Sequence, residues 1–421
     1  MAIETFQLLA GQGKGSDQLK SNFFISAVKH KNPIWMLSSL AVLILTFAIL
    51  CYLVNEINTS PEYFERDFVT YWSAGRLLVS GNNPYDQDQI FMQEKMIGWE
   101  RAEPNRFWNP PWTLPFLIPF GLLKYSIAAK LWFLLNMSLI IICADRIWKF
   151  YDGPIAYRWV AWISAALFFP TYYVLWMGQI SVIVLFGTVG VLVNLRNQNM
   201  WLASIFTIMA TIKPHVVYLL WAAILLWIIG RRQWLFLLGM VFALTGASLI
   251  AVLMNPDIIR AYYDLNAKVS DIQFAIQTPT MGIALRKLLG PEKILLQYIP
   301  PIIGLTWFSI YWSKHKGNWN WEERAPILLL MSLISAIFTW GHDQILIILP
   351  VMHVVVLLFS AGLNRKTVCL VMIYLAINIM AIFFIVGNAF MYIWMAPSFL
   401  LWYLFSMKYL QRLNVNALDG S

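Results

Sequence analysis

Charge is what this chain has least of. Only 12% of its 421 residues are Asp, Glu, Lys or Arg, against roughly 25% in soluble domains. So few charges cannot clothe a water-exposed surface, which argues against a soluble globular protein. Cysteine is also scarce: Cys51, Cys143 and Cys369 all fall inside apolar runs. There they make neither a disulfide framework nor a zinc site, and they leave the redox compartment open. The sequence has no phosphate-binding Gly-rich loop, no paired metal ligands at helical spacing and no Gly-x-Ser-x-Gly elbow. These absences argue against an ATPase, a zinc enzyme or a hydrolase of common type. No internal repeat and no low-complexity tract divides the chain.

What is present points to a bilayer. Apolar residues make up 60% of the chain, with 21 Trp and 27 Phe, aromatic rings of the kind that anchor helices at both membrane interfaces. Lys and Arg outnumber acids 30 to 21. In such a chain that excess reads as basic cytoplasmic loops and membrane-lipid contact, not as a nucleic-acid surface.

A hydrocarbon core of ~30 Å needs ~20 apolar residues of helix. The first such run is Pro33 to Val54, preceded by a polar stretch holding Lys14, Lys20, Lys29 and Lys31. This is an anchor with its N-terminus inside, not a cleaved signal. Further runs lie at 128–147, 154–176, 179–195, 200–212, 214–230, 235–254, 294–312, 326–340, 343–361, 368–386 and 389–407, with 200–212 and 214–230 separated by the helix-breaking Pro214. The expected fold class is therefore an all-α polytopic membrane protein with about twelve transmembrane helices. A single membrane domain, 33–407, lies between cytoplasmic tails at 1–32 and 408–421. Basic residues such as Arg146, Arg158, Arg196, Arg231, Lys314, Arg365 and Arg412 then fall on the cytoplasmic side, as the positive-inside bias requires. Residues 111–124 are apolar but short, with Pro111, Pro115 and Pro119. They read as an interfacial or re-entrant piece that protein must cover. Two long outer loops remain, 55–110 and 255–293, and long loops on a rigid scaffold are usually functional.

In the first outer loop, Phe64, Phe68, Tyr71, Trp72, Leu77 and Leu78 have helical spacing, ended by Gly81-Asn82-Asn83-Pro84. This pattern predicts an amphipathic helix on the outer membrane surface. Asp67 and Glu65 beside it read on spacing alone as solvated loop acids, with a catalytic role as the sharper alternative. Elsewhere, Gln179, Lys213 and the pair His342-Asp343 interrupt apolar runs at outer helix ends. Snorkelling or helix capping would explain each singly. Ionisable groups at such depths also commonly line a pocket, and the predicted topology puts Asp67, Gln179, Lys213 and His342 on one side. A carboxylate facing a lysine and a histidine suits transfer from a lipid phosphate: the acid takes a proton from an attacking hydroxyl and the cations meet the departing phosphate. The same set also suits a proton-coupled transporter.

The stretch from Asp67 to Tyr85, DFVTYWSAGRLLVSGNNPY, resembles the opening motif of glycosyltransferase family 87. The likeness continues through Asn109-Pro110-Pro111, Gly178-Gln179-Ile180-Ser181, Ile212-Lys213-Pro214, Arg231-Arg232-Gln233-Trp234, Gln277-Thr278 with Gly282 and Arg286, and Thr339-Trp340-Gly341-His342-Asp343 with Pro350. These pieces keep family order over roughly residues 60–350; Thr278-Pro279-Thr280 departs from it, a serine being more usual there. The resemblance implies a GT-C glycosyltransferase fold in the plasma (inner) membrane with its active site on the outer face. It implies a polyprenyl-phosphate sugar donor, most often mannose, a glycolipid or glycan acceptor, and no cofactor or metal. Asp67 would be the catalytic base. His342, Lys213 and Arg286 would bind the donor phosphate, with Tyr71, Arg76, Gln179, Asp343 and Gln277 lining the substrate pocket. A glycan ligase or polymerase using polyprenyl diphosphate, and a transporter or flippase of lipid-linked sugars, are the competing functions.

Overall fold

The computed structural model describes residues 66–100, 102–268, 278–361, 364–384 and 389–419. The expected first span at 33–54 and the pocket candidate Gln277 lie outside the described residues. Among those described the chain is helical throughout, with no strand, as backbone in a bilayer must be when it bonds within its own segment.

Among the described residues, seven helices are long and apolar enough to cross a membrane: Tyr125–Phe150, Pro214–Arg231, Trp234–Met254, Ile294–Asn318, Gly341–Phe359, Arg365–Ile382 and Ala389–Leu410. An eighth span results if Ile155–Ala166 and Phe169–Met177, bent by 62° at their junction, act as one. The bend has a local cause. Pro170 sits in the first turn of the second helix and Phe168 is extended. The Phe169 N–H freed by the break is taken up by Asn378 Oδ1 at 2.7 Å. The architecture is that of a multi-pass membrane protein, with fewer full-length spans among the described residues than the twelve expected from apolar runs. Met200–Ala210 shows why the two counts differ: its eleven residues extend only about 16 Å, although the run is apolar enough to read as a crossing. The predicted break before Pro214 is present, as a 3-10 turn Pro214–Val217 leading into Tyr218–Arg231.

Burial sorts the spans. Gly341–Phe359 is buried over most of its length and forms the centre of the bundle, its later turns being apolar on nearly every side, as a buried helix should be. Trp234–Met254 and Ile294–Asn318 are mostly uncovered and present Phe242, Leu253, Leu295 and Ile303 outward, which is a lipid-facing rim. The last helix continues without interruption from Met395 to Asp419, past the predicted domain boundary at 407.

The predicted amphipathic helix is α1, Phe68–Val79, closed by Ser80 and a left-handed Gly81. It does not present an open apolar face: ten of its twelve residues are buried in protein. Its cover is α3, Leu114–Gly121, the apolar piece expected to be interfacial or re-entrant. At eight residues α3 spans only about 12 Å and cannot traverse the bilayer alone. It packs on α1 at backbone distance, because a Cβ on Gly75 would come within 2.5 Å of the Leu117 carbonyl, and one on Gly121 within 2.3 Å of the Gly75 backbone. Between them in sequence lies α2, Gln87–Met96, started by Asp86, whose side chain accepts from the Asp88 and Gln89 N–H groups.

Candidate active site

Four interruptions of helix converge at one place. The first is the start of α1, where Asp67 precedes Phe68. The second is Gly178, between the helices Phe169–Met177 and Ser181–Arg196. It is left-handed (φ +64°), and a Cβ there would lie 2.8 Å from Phe68 Cβ, so only glycine permits both the turn and the contact. Trp132 Nε1 bonds its carbonyl at 2.8 Å, and the Asp67 N–H bonds the preceding Met177 carbonyl at 3.1 Å. The third is Lys213, just before Pro214. The fourth is the 3-10 turn Gly341–Ile347, which carries His342 and Asp343. Broken helices at membrane depth are tolerated where protein covers the freed backbone groups, and this centre is covered.

The side chains join in one network. Asp67 Oδ2 accepts from Gln179 Nε2 at 2.6 Å, and Oδ1 from Asn105 Nδ2 at 2.9 Å. Gln179 Oε1 accepts from the Tyr71 hydroxyl at 2.8 Å and from Lys213 Nζ at 3.1 Å. Lys213 Nζ also reaches Asp343 Oδ1 at 2.8 Å, Ser181 Oγ at 3.0 Å and His342 Nε2 at 3.3 Å. An ammonium has three protons, so four acceptors compete for them. An Nε2 that accepts from that ammonium belongs to the tautomer with its proton on Nδ1. Asp343 is further held by Ser181 Oγ at 2.7 Å and by the Trp340 N–H at 2.9 Å. The His342 ring lies between Tyr173 and Trp340. Gln179 is thus the hinge of the site, linking the carboxylate of Asp67 to the lysine cluster through one amide.

Burial decides how these groups behave. His342 and Asp343 are 4% and 1% exposed, and Lys213 is 9% exposed. Burial, reinforced by the Asp67 charge, pushes the Tyr71 phenol well above its ordinary value, which keeps it a hydrogen-bond donor to Gln179. Among the described residues no three His, Cys, Asp or Glu side chains gather as a metal site would need.

Two candidates stand apart from this network. Arg76 is exposed and donates to the Gly121 carbonyl at 3.2 Å, tying α1 to α3. Arg286 is buried but spent on local structure: it bonds the Pro291 carbonyl through Nε at 2.9 Å and Gln297 Oε1 through Nη1 at 2.7 Å. Sequence reasoning assigned no role to Asn105, which sits in irregular chain, or to Glu94, which lies among polar residues in α2. Arg66, a polar position of the first outer loop given no role on sequence, has its guanidinium 3.7 Å from the ring centre of Trp176. None of the three belongs to a periodic pattern that would have exposed it.

A polytopic helical membrane protein with a buried acid, lysine and histidine joined at helix breaks is the class that fold and site define. The model of glycosyltransferase family 87 matches residues 107–335, just over half of the chain, and the chain belongs to that family. The matched segment contains Gln179, Lys213 and Arg286. Asp67, Tyr71, Arg76, His342 and Asp343 lie outside it and are tied to it by the contacts above. No curated protein and no solved structure matches the chain.

Proposed function

We propose that this glycosyltransferase moves a sugar, mannose, from a polyprenyl phosphate to a hydroxyl of a glycolipid or glycan on the outer face of the plasma membrane, inverting the anomeric carbon. The observation that carries the reading is the Gln179 amide, which holds Asp67 by one atom and Lys213 by the other. Base and cation are thereby held on the two ends of one side-chain amide, so that both can act on the same bound donor. The acceptor oxygen forms its bond to the anomeric carbon while the bond from that carbon to the phosphate oxygen breaks. The proton of the acceptor passes to Asp67, and the electron pair leaves on the polyprenyl phosphate. Lys213 and the Nδ1 proton of His342 meet the charge developing there. Asp343 keeps Lys213 in place and neutralises it until the phosphate arrives. Beside His342, Thr339 Oγ1 and Gln344 Oε1 are buried with no partner among the described residues and face a small cleft with Pro279 and Met281. They suit hydroxyl groups of a sugar.

Purified protein incubated with radiolabelled polyprenyl-phosphate mannose and a mixed glycolipid fraction is expected to give labelled glycolipid, with little inhibition by unlabelled polyprenyl diphosphate. Inhibition by the diphosphate alone would move the protein to a ligase or polymerase. Counterflow of the donor in liposomes without product would make it a flippase.

A further inference from the structure

Glu94 is fully buried in α2 yet bonds neither Lys213 nor His342. Its Oε1 accepts from Thr70 Oγ1 at 2.9 Å and its Oε2 from the Asn105 N–H at 3.0 Å. Thr70 lies on α1 three residues after Asp67, and the Asn105 side chain donates to Asp67 Oδ1 at 2.9 Å. One carboxylate therefore fastens both the helix that starts at Asp67 and the strip of chain whose amide holds the Asp67 side chain. Residues 102–109 contain no helix, so no regular hydrogen-bond ladder fixes Asn105; the bond to Glu94 fixes its backbone. Burying a carboxylate is costly, and an apolar side chain would fill the same space more cheaply. A purely structural staple would not need to end on Asp67.

We propose that Glu94 is a positioning residue for sugar transfer, anchored on Thr70 and acting through Asn105 to hold the carboxylate of Asp67 in the rotamer that faces the acceptor hydroxyl. Each Asp67 oxygen then spends one lone pair on an amide donor, Asn105 or Gln179, and keeps the other for the incoming proton. The inference rests on Asp67 being the base.

The test uses full-length protein with the radiolabelled polyprenyl-phosphate mannose assay, and compares Glu94→Ala, Glu94→Gln, Asn105→Ala and the double variant Glu94→Ala/Asn105→Ala. Because the role runs through a single chain of contacts, Glu94→Ala and Asn105→Ala should each lower kcat about tenfold, and the double variant should fall no further than either single. Donor KM should stay within about twofold of the parent, since the cation side of the site is untouched. Glu94→Gln keeps one acceptor oxygen and should recover part of the loss. Parental kcat in Glu94→Ala, a loss confined to KM, or losses that multiply in the double variant would each overturn the proposal. Should Glu94→Ala fail to fold, Asn105→Ala and Glu94→Gln still decide: parental kcat in Asn105→Ala sinks it. Asp67→Asn separates the two ideas. An inactive Asp67→Asn beside fully active Glu94→Ala and Asn105→Ala removes only the positioning role, whereas a fully active Asp67→Asn removes the base itself and this role with it.

Discussion

Exchanging Asp67 for asparagine replaces one oxygen by an NH2 group of almost equal size and removes the proton acceptor. The surroundings show that the fold should tolerate it. Gln179 cannot turn its amide, because its Oε1 is already held by Tyr71 and Lys213, so its Nε2 continues to require an oxygen at position 67. Asn105 meets Asp67 through Nδ2 alone, and a half-turn of its side chain offers an oxygen instead. The introduced asparagine therefore points its oxygen at Gln179 and its NH2 at Asn105, and both bonds survive. What disappears is the proposed base. General-base catalysis contributes about 10²- to 10⁴-fold, or about 3–5 kcal/mol of barrier. Transfer from radiolabelled polyprenyl-phosphate mannose should fall by that factor, with donor KM and melting temperature near the parental values. Turnover within about threefold of the parent, in a variant that melts like the parent, would refute the assignment.

The Lys213–Asp343 pair makes a second prediction. Lys213→Met leaves a carboxylate that is 1% exposed, hydrogen-bonded by Ser181 and Trp340 but without its lysine, and should destabilise the protein by about 3–5 kcal/mol. Lys213→Met/Asp343→Leu should recover most of that loss while remaining inactive, because an apolar pair often replaces a buried ion pair without penalty; unfolding in mixed micelles reads both, and additive losses would contradict the pairing. The third prediction concerns pH. Burial raises the Glu94 carboxyl from 4.5 to about 7, so between those values the folded protein binds a proton that the unfolded chain does not. Its contribution to stability is present below pH 4.5 and lost as pH rises through 7, amounting to about 3 kcal/mol. Melting temperature should be higher at about pH 6 than at about pH 8, and Glu94→Gln should flatten that difference.

Much of the site was legible from interruptions. Gln179, Lys213 and His342 stood out because each is polar where a membrane helix should be apolar, beside a glycine or a proline that breaks the helix, and the structure brings all three together. Asn105 and Glu94 gave no such signal, since a polar residue in a polar loop looks ordinary until the fold buries it. Arg76 and Arg286 are the reverse case. Both carry the charge a phosphate would seek, yet both are turned to backbone carbonyls nearby, a choice made by side-chain direction and not by residue type.

The sequence by itself determined the membrane class, the helical content, the break at Pro214 and the glycine turn before Gln179, because these follow from transfer free energy and local backbone sterics. Tertiary structure decided what depends on neighbours. The apolar face of α1 meets α3 instead of lipid, since Gly75 and Gly121 allow the two backbones to touch. Met200–Ala210 stops short of a full crossing. Asp67 acquires its partners from positions 38 and 112 residues away. No periodicity within a segment encodes such distances; they are set by how the helices pack.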